Sequence, residues 1–138
     1  MKIALGNDHA GFELKNYIME MLKKEGHEVE DFGSLENKSD YPDYAKKVAT
    51  DVLSGSKGIL VCGTGIGMSI AANKIKGIRA ARCMNENDAE LSRNHNDSNV
   101  LCLGGRVLEK TQAWDIVKKW LESDFEGGRH QERIDKIE

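Results

Sequence analysis

The amino-acid sequence predicts an α/β fold: one three-layer, doubly wound domain, Rossmann-like, with a five-stranded parallel sheet in the order 2-1-3-4-5. Three observations carry this expectation. Short apolar runs alternate with amphipathic segments along the whole chain, the pattern of strands joined by helices. The chain has 138 residues, enough for one hydrophobic core and too few for two. It has a single proline and no repeat, low-complexity stretch or linker, so residues 1–138 read as one unit. Parallel strands connected by helices close through right-handed crossovers, and 2-1-3-4-5 is a common order for five of them.

The elements follow in chain order. Ile3-Ala4-Leu5-Gly6 reads as a buried strand. Phe12 to Lys24 reads as a helix with Leu14, Tyr17, Ile18, Met21 and Leu22 on one stripe, Lys23 and Lys24 against its C-terminal dipole, and Gly26 as its stop. Glu28 to Phe32 is a weaker strand. Pro42 opens a helix to about Leu53, with Asp40 as its candidate cap. Gly58 to Cys62 is the clearest buried strand, followed by the loop Gly63 to Gly67 and a helix from Met68 to about Ile75. Ile78 to Cys83 is a fourth strand, Asp88 to Asn94 a helix, Val100 to Leu103 a fifth strand, and Thr111 to Leu121 a helix burying Trp114, Val117, Trp120 and Leu121. A short helix is expected beyond Gly127.

Composition narrows the function classes. The formal charge of -3 offers no general attraction to nucleic acid or an anionic membrane, so an anion site must be built from a few placed cations. No apolar run is long enough to span a bilayer, and the N-terminus lacks a signal-peptide core. Three cysteines without CxxC spacing argue against a disulfide framework or a cysteine zinc site, so a cytoplasmic protein with free thiols is expected.

In an open parallel sheet, ligands bind beyond the carboxyl ends of strands 1 and 3. There the sequence places Asn7-Asp8-His9-Ala10-Gly11 and Cys62 to Ser69. Gly63, Gly65 and Gly67 alternate, which lets main-chain amides converge on an anion at a helix N-terminus. The loop lacks the third glycine of GxGxxG (Met68 stands there) and the lysine of a phosphate-binding P-loop, so a nucleotide is not indicated, while an oxyanion formed during a reaction suits the same amides. Cys62 ends its strand just before that helix, where the dipole favours a thiolate. No arginine follows it in the loop, which excludes the phosphatase C-x5-R arrangement and leaves a base or a nucleophile. Cys83 and Cys102 lie within apolar strands and read as packing residues. Asp8-His9 can cap the helix at Phe12, bind a ligand, or both. His95 closes a helix, a position the dipole alone explains. Arg129 and Arg133 share one helix face, as a phosphate clamp or as a solvated tail.

Taken together, the segments Asp8-His9-Ala10-Gly11, Asp40-Tyr41-Pro42-Asp43, Cys62 to Lys74, His95-Asn96, Gly104-Gly105-Arg106 and Gly127-Gly128-Arg129-His130 closely resemble type B ribose-5-phosphate isomerase, of the family that includes galactose-6-phosphate isomerase subunits. The resemblance covers essentially the whole chain. One branch of that family carries a glutamate base in the loop helix; Ser69, Ile70 and Ala71 offer no carboxylate here, so the cysteine branch is implied. It implies interconversion of ribose 5-phosphate and ribulose 5-phosphate, with Cys62 as base, His95 assisting ring opening and Thr64 moving a proton between oxygens. It implies substrate contacts from Asp8, His9, Tyr41, Gly63, Gly65, Ile66, Gly67 and Asn96, and a phosphate site from His9, Arg106, Arg129 and Arg133, completed by the tail 124–138. Allose 6-phosphate and galactose 6-phosphate are the competing substrates, and a flavodoxin-like phosphate-binding module the competing class.

His95 leads into strand 5 and so belongs to the amino ends of the strands, whereas Cys62 lies at the carboxyl ends, about 17 Å away for a typical strand. His95 is therefore expected to reach the site from a second subunit, giving a homodimer with shared sites, with or without pairing of dimers into a tetramer.

Overall fold

The computed structural model describes residues 1–35 and 39–137. Its strands are β1 (Lys2–Asn7), β2 (Glu28–Asp31), β3 (Lys57–Cys62), β4 (Ala80–Arg82) and β5 (Val100–Gly104). Its helices are α1 (Phe12–Lys24), α2 (Tyr41–Leu53), α3 (Ile66–Asn73), α4 (Glu86–Asn94), α5 (Lys110–Glu122) and α6 (Arg129–Asp135). A 3-10 turn, His9–Gly11, not anticipated from sequence, precedes α1. Asp40 stands at the N-cap position of α2 but makes no side-chain cap bond.

Every strand pairing is parallel, as expected. The order is β2-β1-β3-β5-β4, not 2-1-3-4-5. The last two strands exchange places because only one of them can be central. All five residues of β5 are buried, whereas all three of β4 keep partial solvent contact. Arg79 and Arg82 flank and end β4, and charged side chains of that kind belong at a sheet edge. The exchange also moves a helix. A right-handed crossover that steps back from β4 to β5 lays α4 on the face opposite α3.

Two cores result. Ile3, Leu5, Ile59, Val61, Leu101 and Leu103 point to one face and pack with α1, α4 and α5. Ala4, Leu60, Cys62, Val100 and Cys102 point to the other, under α2 and α3. The period-2 alternation of each strand thus assigns Cys62 to the α2–α3 side.

Polar interactions hold the two ends of the sheet. At the carboxyl end, fully buried Lys15 on α1 pairs with Asp31 at the end of β2, at 2.6 Å, and the other Asp31 oxygen accepts the Gly33 N–H. At the amino end, Trp120 Nε1 donates to Ser98 Oγ, Ser98 bonds Ser92, and Arg93 donates to the Ser98 carbonyl and to Asp97. Asp97 adopts φ 46°, a left-handed turn residue held by Arg79 and Arg93.

Removing Asp31 strands a buried ammonium, a change that costs about 3 kcal/mol. Asp31→Ala is therefore expected to lower the urea midpoint by that equivalent, whereas Lys15→Met, which removes the buried charge itself, is expected to cost less.

Candidate active site

The loop after β3 is shaped by what lies beneath it. Because β5 neighbours β3, residues 63–65 ride directly over the end of β5. A Cβ on Gly104 would stand 2.8 Å from the Thr64 carbonyl, and one on Gly65 would stand 3.0 Å from the Leu103 carbonyl carbon. Gly65 takes φ 81° and begins α3; a side chain there would be strained as well as crowded. The loop is tied down by Gly105 N–H to the Cys62 carbonyl, Arg106 N–H to the Gly63 carbonyl, and Arg82 Nε to the Thr64 carbonyl at 2.8 Å.

The left-handed turn at Gly65 aims its N–H back at Cys62, whose Sγ accepts it at 3.1 Å. Cys62 is 4% exposed, packed on its inner side by the α2–α3 core while its sulfur meets the loop amide. The sulfur thus sits just ahead of the N-terminus of α3, against a main-chain donor. Thr64 Oγ1 accepts the Ile66 N–H at 3.2 Å. Two of the loop's amides are thus engaged within the loop itself. Those of Gly63, Thr64 and Gly67 lack an acceptor in the chain among the described residues, and they are the ones free for a ligand oxygen.

Other expected residues gather on the same rim. Tyr41, at the start of α2, lies over Gly67, where an added Cβ would be 2.8 Å from its ring. Asp8 is buried and caps the 3-10 turn through the Gly11 N–H, so capping is established for one carboxylate oxygen. His9 exchanges contacts with Ser39, its N–H donating to Oγ and its Nδ1 accepting the Ser39 N–H. The Arg106 side chain runs beside Gly63. Cys62, Thr64, Ile66, the three glycines, Asp8, His9, Tyr41 and Arg106 therefore share one end of the sheet.

His95, Asn96, Arg129 and Arg133 do not join them. His95 caps α4 and Asn96 follows it, ahead of the amino end of β5. The Glu126 N–H donates to the Asn94 carbonyl and docks the tail there, and the His130 ring stacks on His95 at 4.3 Å and 14°. Arg129 and Arg133 are exposed on the same short helix as His130, with no carboxylate in ion-pair range among the described residues.

Residues 3–137 match the ribose/galactose isomerase family. The chain belongs to that family. It is 51% identical to ribose-5-phosphate isomerase B of Escherichia coli (strain K12), over 99% of this chain and 93% of that protein. Among solved structures, Clostridium thermocellum ribose-5-phosphate isomerase B superposes with a TM-score of 0.98 at 54% identity, over 99% of this chain and 95% of that one. Ribose-5-phosphate isomerase B of Mycoplasma genitalium with bound ribulose-5-phosphate superposes with a TM-score of 0.94 at 45% identity, over 99% and 93%.

Three polar residues of this family member were given no individual role from the sequence. Asn7, fully buried at the end of β1, donates to the Asp8 and Ser34 carbonyls and fixes the segment carrying Asp8 and His9. An asparagine closing an apolar strand was the available signal. Arg82 holds the glycine loop, and that role depends on β4 being the edge strand next to β5. His130 touches His95 only through the folded tail.

The three cysteines differ in environment. Burial pushes the Cys83 thiol up to about 12, and burial also raises Cys102. Both stay protonated near pH 8. Iodoacetamide on the native protein at that pH is expected to give a single adduct, at Cys62, with Cys83 and Cys102 reacting only after unfolding; peptide mass mapping reads the outcome.

Proposed function

We propose that the protein interconverts ribose 5-phosphate and ribulose 5-phosphate through an enediolate, with Cys62 as the base. The observation that carries this reading is the Gly65 N–H held on Cys62 Sγ beside three main-chain amides without acceptors. A 1,2-proton shift needs a group to remove a proton next to a carbonyl and donors where oxygen gains charge, and the loop offers both. The Escherichia coli relative carries the name of the same reaction, and the Mycoplasma genitalium one was solved with ribulose 5-phosphate bound.

In this reading His95 moves the proton that opens the furanose ring. Cys62 thiolate then removes the C2 proton of the open aldose, and the electron pair shifts toward O1 to form the enediolate. The amides of Gly63, Thr64 and Gly67 stabilise the charged oxygen. Thr64, whose hydroxyl lies on the outer side of the loop, passes a proton between O2 and O1, and Cys62 returns its proton to C1. Atoms balance without an added reductant or oxidant. Asp8, Tyr41 and Asn96 contact the sugar hydroxyls; His9, Arg106, Arg129 and Arg133 hold the phosphate, with the tail from residue 124 completing that end.

The two half-sites lie at opposite ends of one chain, so a second copy is proposed to supply His95, Asn96, Arg129 and Arg133. Support comes from the outer face of α3, where Ile66 is 46% and Ile70 58% exposed one turn apart beside the loop. Apolar side chains placed together on a helix surface favour an isologous contact. Three unpaired thiols suit a reducing cytoplasm. No described helix is long and apolar enough to cross a membrane.

Cys62→Ala is expected to lower kcat by about 10³-fold while phosphosugar affinity changes little, the signature of a lost proton carrier. Assays on ribose 5-phosphate, allose 6-phosphate and galactose 6-phosphate should show the highest kcat/KM for the pentose. Undiminished turnover in the alanine variant would remove Cys62 from the mechanism, and gel filtration showing a fully active monomer would remove the shared site.

A further inference from the structure

A second histidine, His130, lies against the proposed ring-opening residue. His130 is the one nine-tenths-buried side chain of α6, at 5% exposed. A seven-residue helix needs an anchor to stay docked, and an aliphatic side chain would serve without burying polar atoms. Here the anchor is an imidazole whose Nε2 has no hydrogen-bond partner. Glu126 Oε1 is 3.6 Å away, too far for a hydrogen bond.

What this ring does have is a flat contact. It stacks on His95 with centroids 4.3 Å apart and planes 14° from parallel. His95 needs such a contact. Its backbone is fixed by the N–H bond to Leu91, but neither of its ring nitrogens has a hydrogen-bond partner among the described residues. Among the described residues, the stack on His130 is the aromatic contact that bears on the plane of the ring. Glu126 joins the two histidines in a cluster whose ligand atoms lie within 4.8 Å. Near-parallel rings send their in-plane lone pairs along separate planes, so a single ion cannot meet both well. The pair is built for stacking rather than for chelation.

Charge fits the same role. Burial, then Arg129, His95 and Arg133, lower the His130 pKa against the opposing pull of Glu126, so the ring is neutral near pH 7. A neutral ring restrains its neighbour without adding a second positive charge to it.

Building on the proposed isomerase reaction, we propose that His130 is a positioning residue that fixes the ring plane of His95 for opening the cyclic sugar. A proton-transfer group must be aimed at its target atom, and lost aim lowers the rate without abolishing binding. The role is confined to ring opening. A four-carbon aldose phosphorylated at its terminal hydroxyl cannot close a furanose, so its isomerisation bypasses His95 and should bypass His130.

The test compares His130→Leu, which keeps an apolar anchor but no flat face, with His130→Phe, which keeps the flat face. Both are assayed on ribose 5-phosphate and erythrose 4-phosphate, after circular dichroism and gel filtration show the native fold and assembly. His130→Leu is expected to lower kcat/KM for the pentose about tenfold or more, chiefly in kcat, and to leave the tetrose within about twofold. His130→Phe should recover most of the loss. Proton NMR supplies a readout independent of turnover: the His95 ring protons should be shifted upfield by the stacked ring in the native protein and in His130→Phe, and return toward free-histidine positions in His130→Leu. Equal losses on both substrates, equal losses in both variants, or unshifted His95 protons in the native protein would each overturn the assignment. A native protein inactive on both sugars, with its His95 protons still shifted, would instead overturn the isomerase reading and leave the restrained ring standing.

Discussion

One strand sets the terms for the rest of the molecule. Val100–Gly104 is fully buried at the middle of the right half of the sheet, and its two ends carry different chemistry. Its carboxyl end supports the Cys62 loop; its amino end continues from His95 and Asn96. Five extended residues hold those ends about 17 Å apart, and a packed core cannot shorten that span. Any reaction that uses both the sulfur and this imidazole must therefore draw them from two chains. The isoleucines of α3 and the arginines of α6 are exposed.

The same strand also shapes the loop. Gly104 has no Cβ because the Thr64 carbonyl occupies that space, and Gly65 turns left-handed over Leu103. The turn at Gly65 sends its amide to the sulfur and leaves those of Gly63, Thr64 and Gly67 without a protein acceptor. Arg82 fastens the loop from the side through the Thr64 carbonyl. The geometry of this loop is thus set by main-chain packing, which is stiffer than side-chain placement alone. At the opposite end, the Trp120–Ser98–Ser92 bonds and the Arg93–Asp97 pair immobilise the turn that bears His95, while the tail brings His130 onto its ring.

Much of this was legible in the sequence. Alternating glycines after an apolar strand marked the loop, and the strand's final position marked Cys62 as different from Cys83 and Cys102. The helix stripes and the parallel sheet followed from periodicity. The strand order did not, because Ile78 to Cys83 contains enough apolar residues to pass as a central strand. Arg79 and Arg82 were the signal of an edge, and they outweigh the apolar positions because a guanidinium requires water or a partner. Which amides of the loop stay free was equally illegible, since it depends on one φ angle at Gly65. Contacts such as His95 with His130, or Arg82 with Thr64, join segments far apart in sequence and exist only once the tail and the edge strand are placed. The placement of His95 at the opposite end of the sheet from Cys62, by contrast, needed only the direction of a strand.

The division of one site between two chains is tested most directly by complementation. Chains carrying Cys62→Ala and chains carrying His95→Ala, each inactive alone, are unfolded together and refolded. Random pairing makes half of the dimers mixed, and each mixed dimer holds one site with both groups intact. Recovery of about a quarter of the activity of the unsubstituted protein is predicted. Activity that stays at the level of either parent would show that sulfur and imidazole serve the same chain, and would contradict the account.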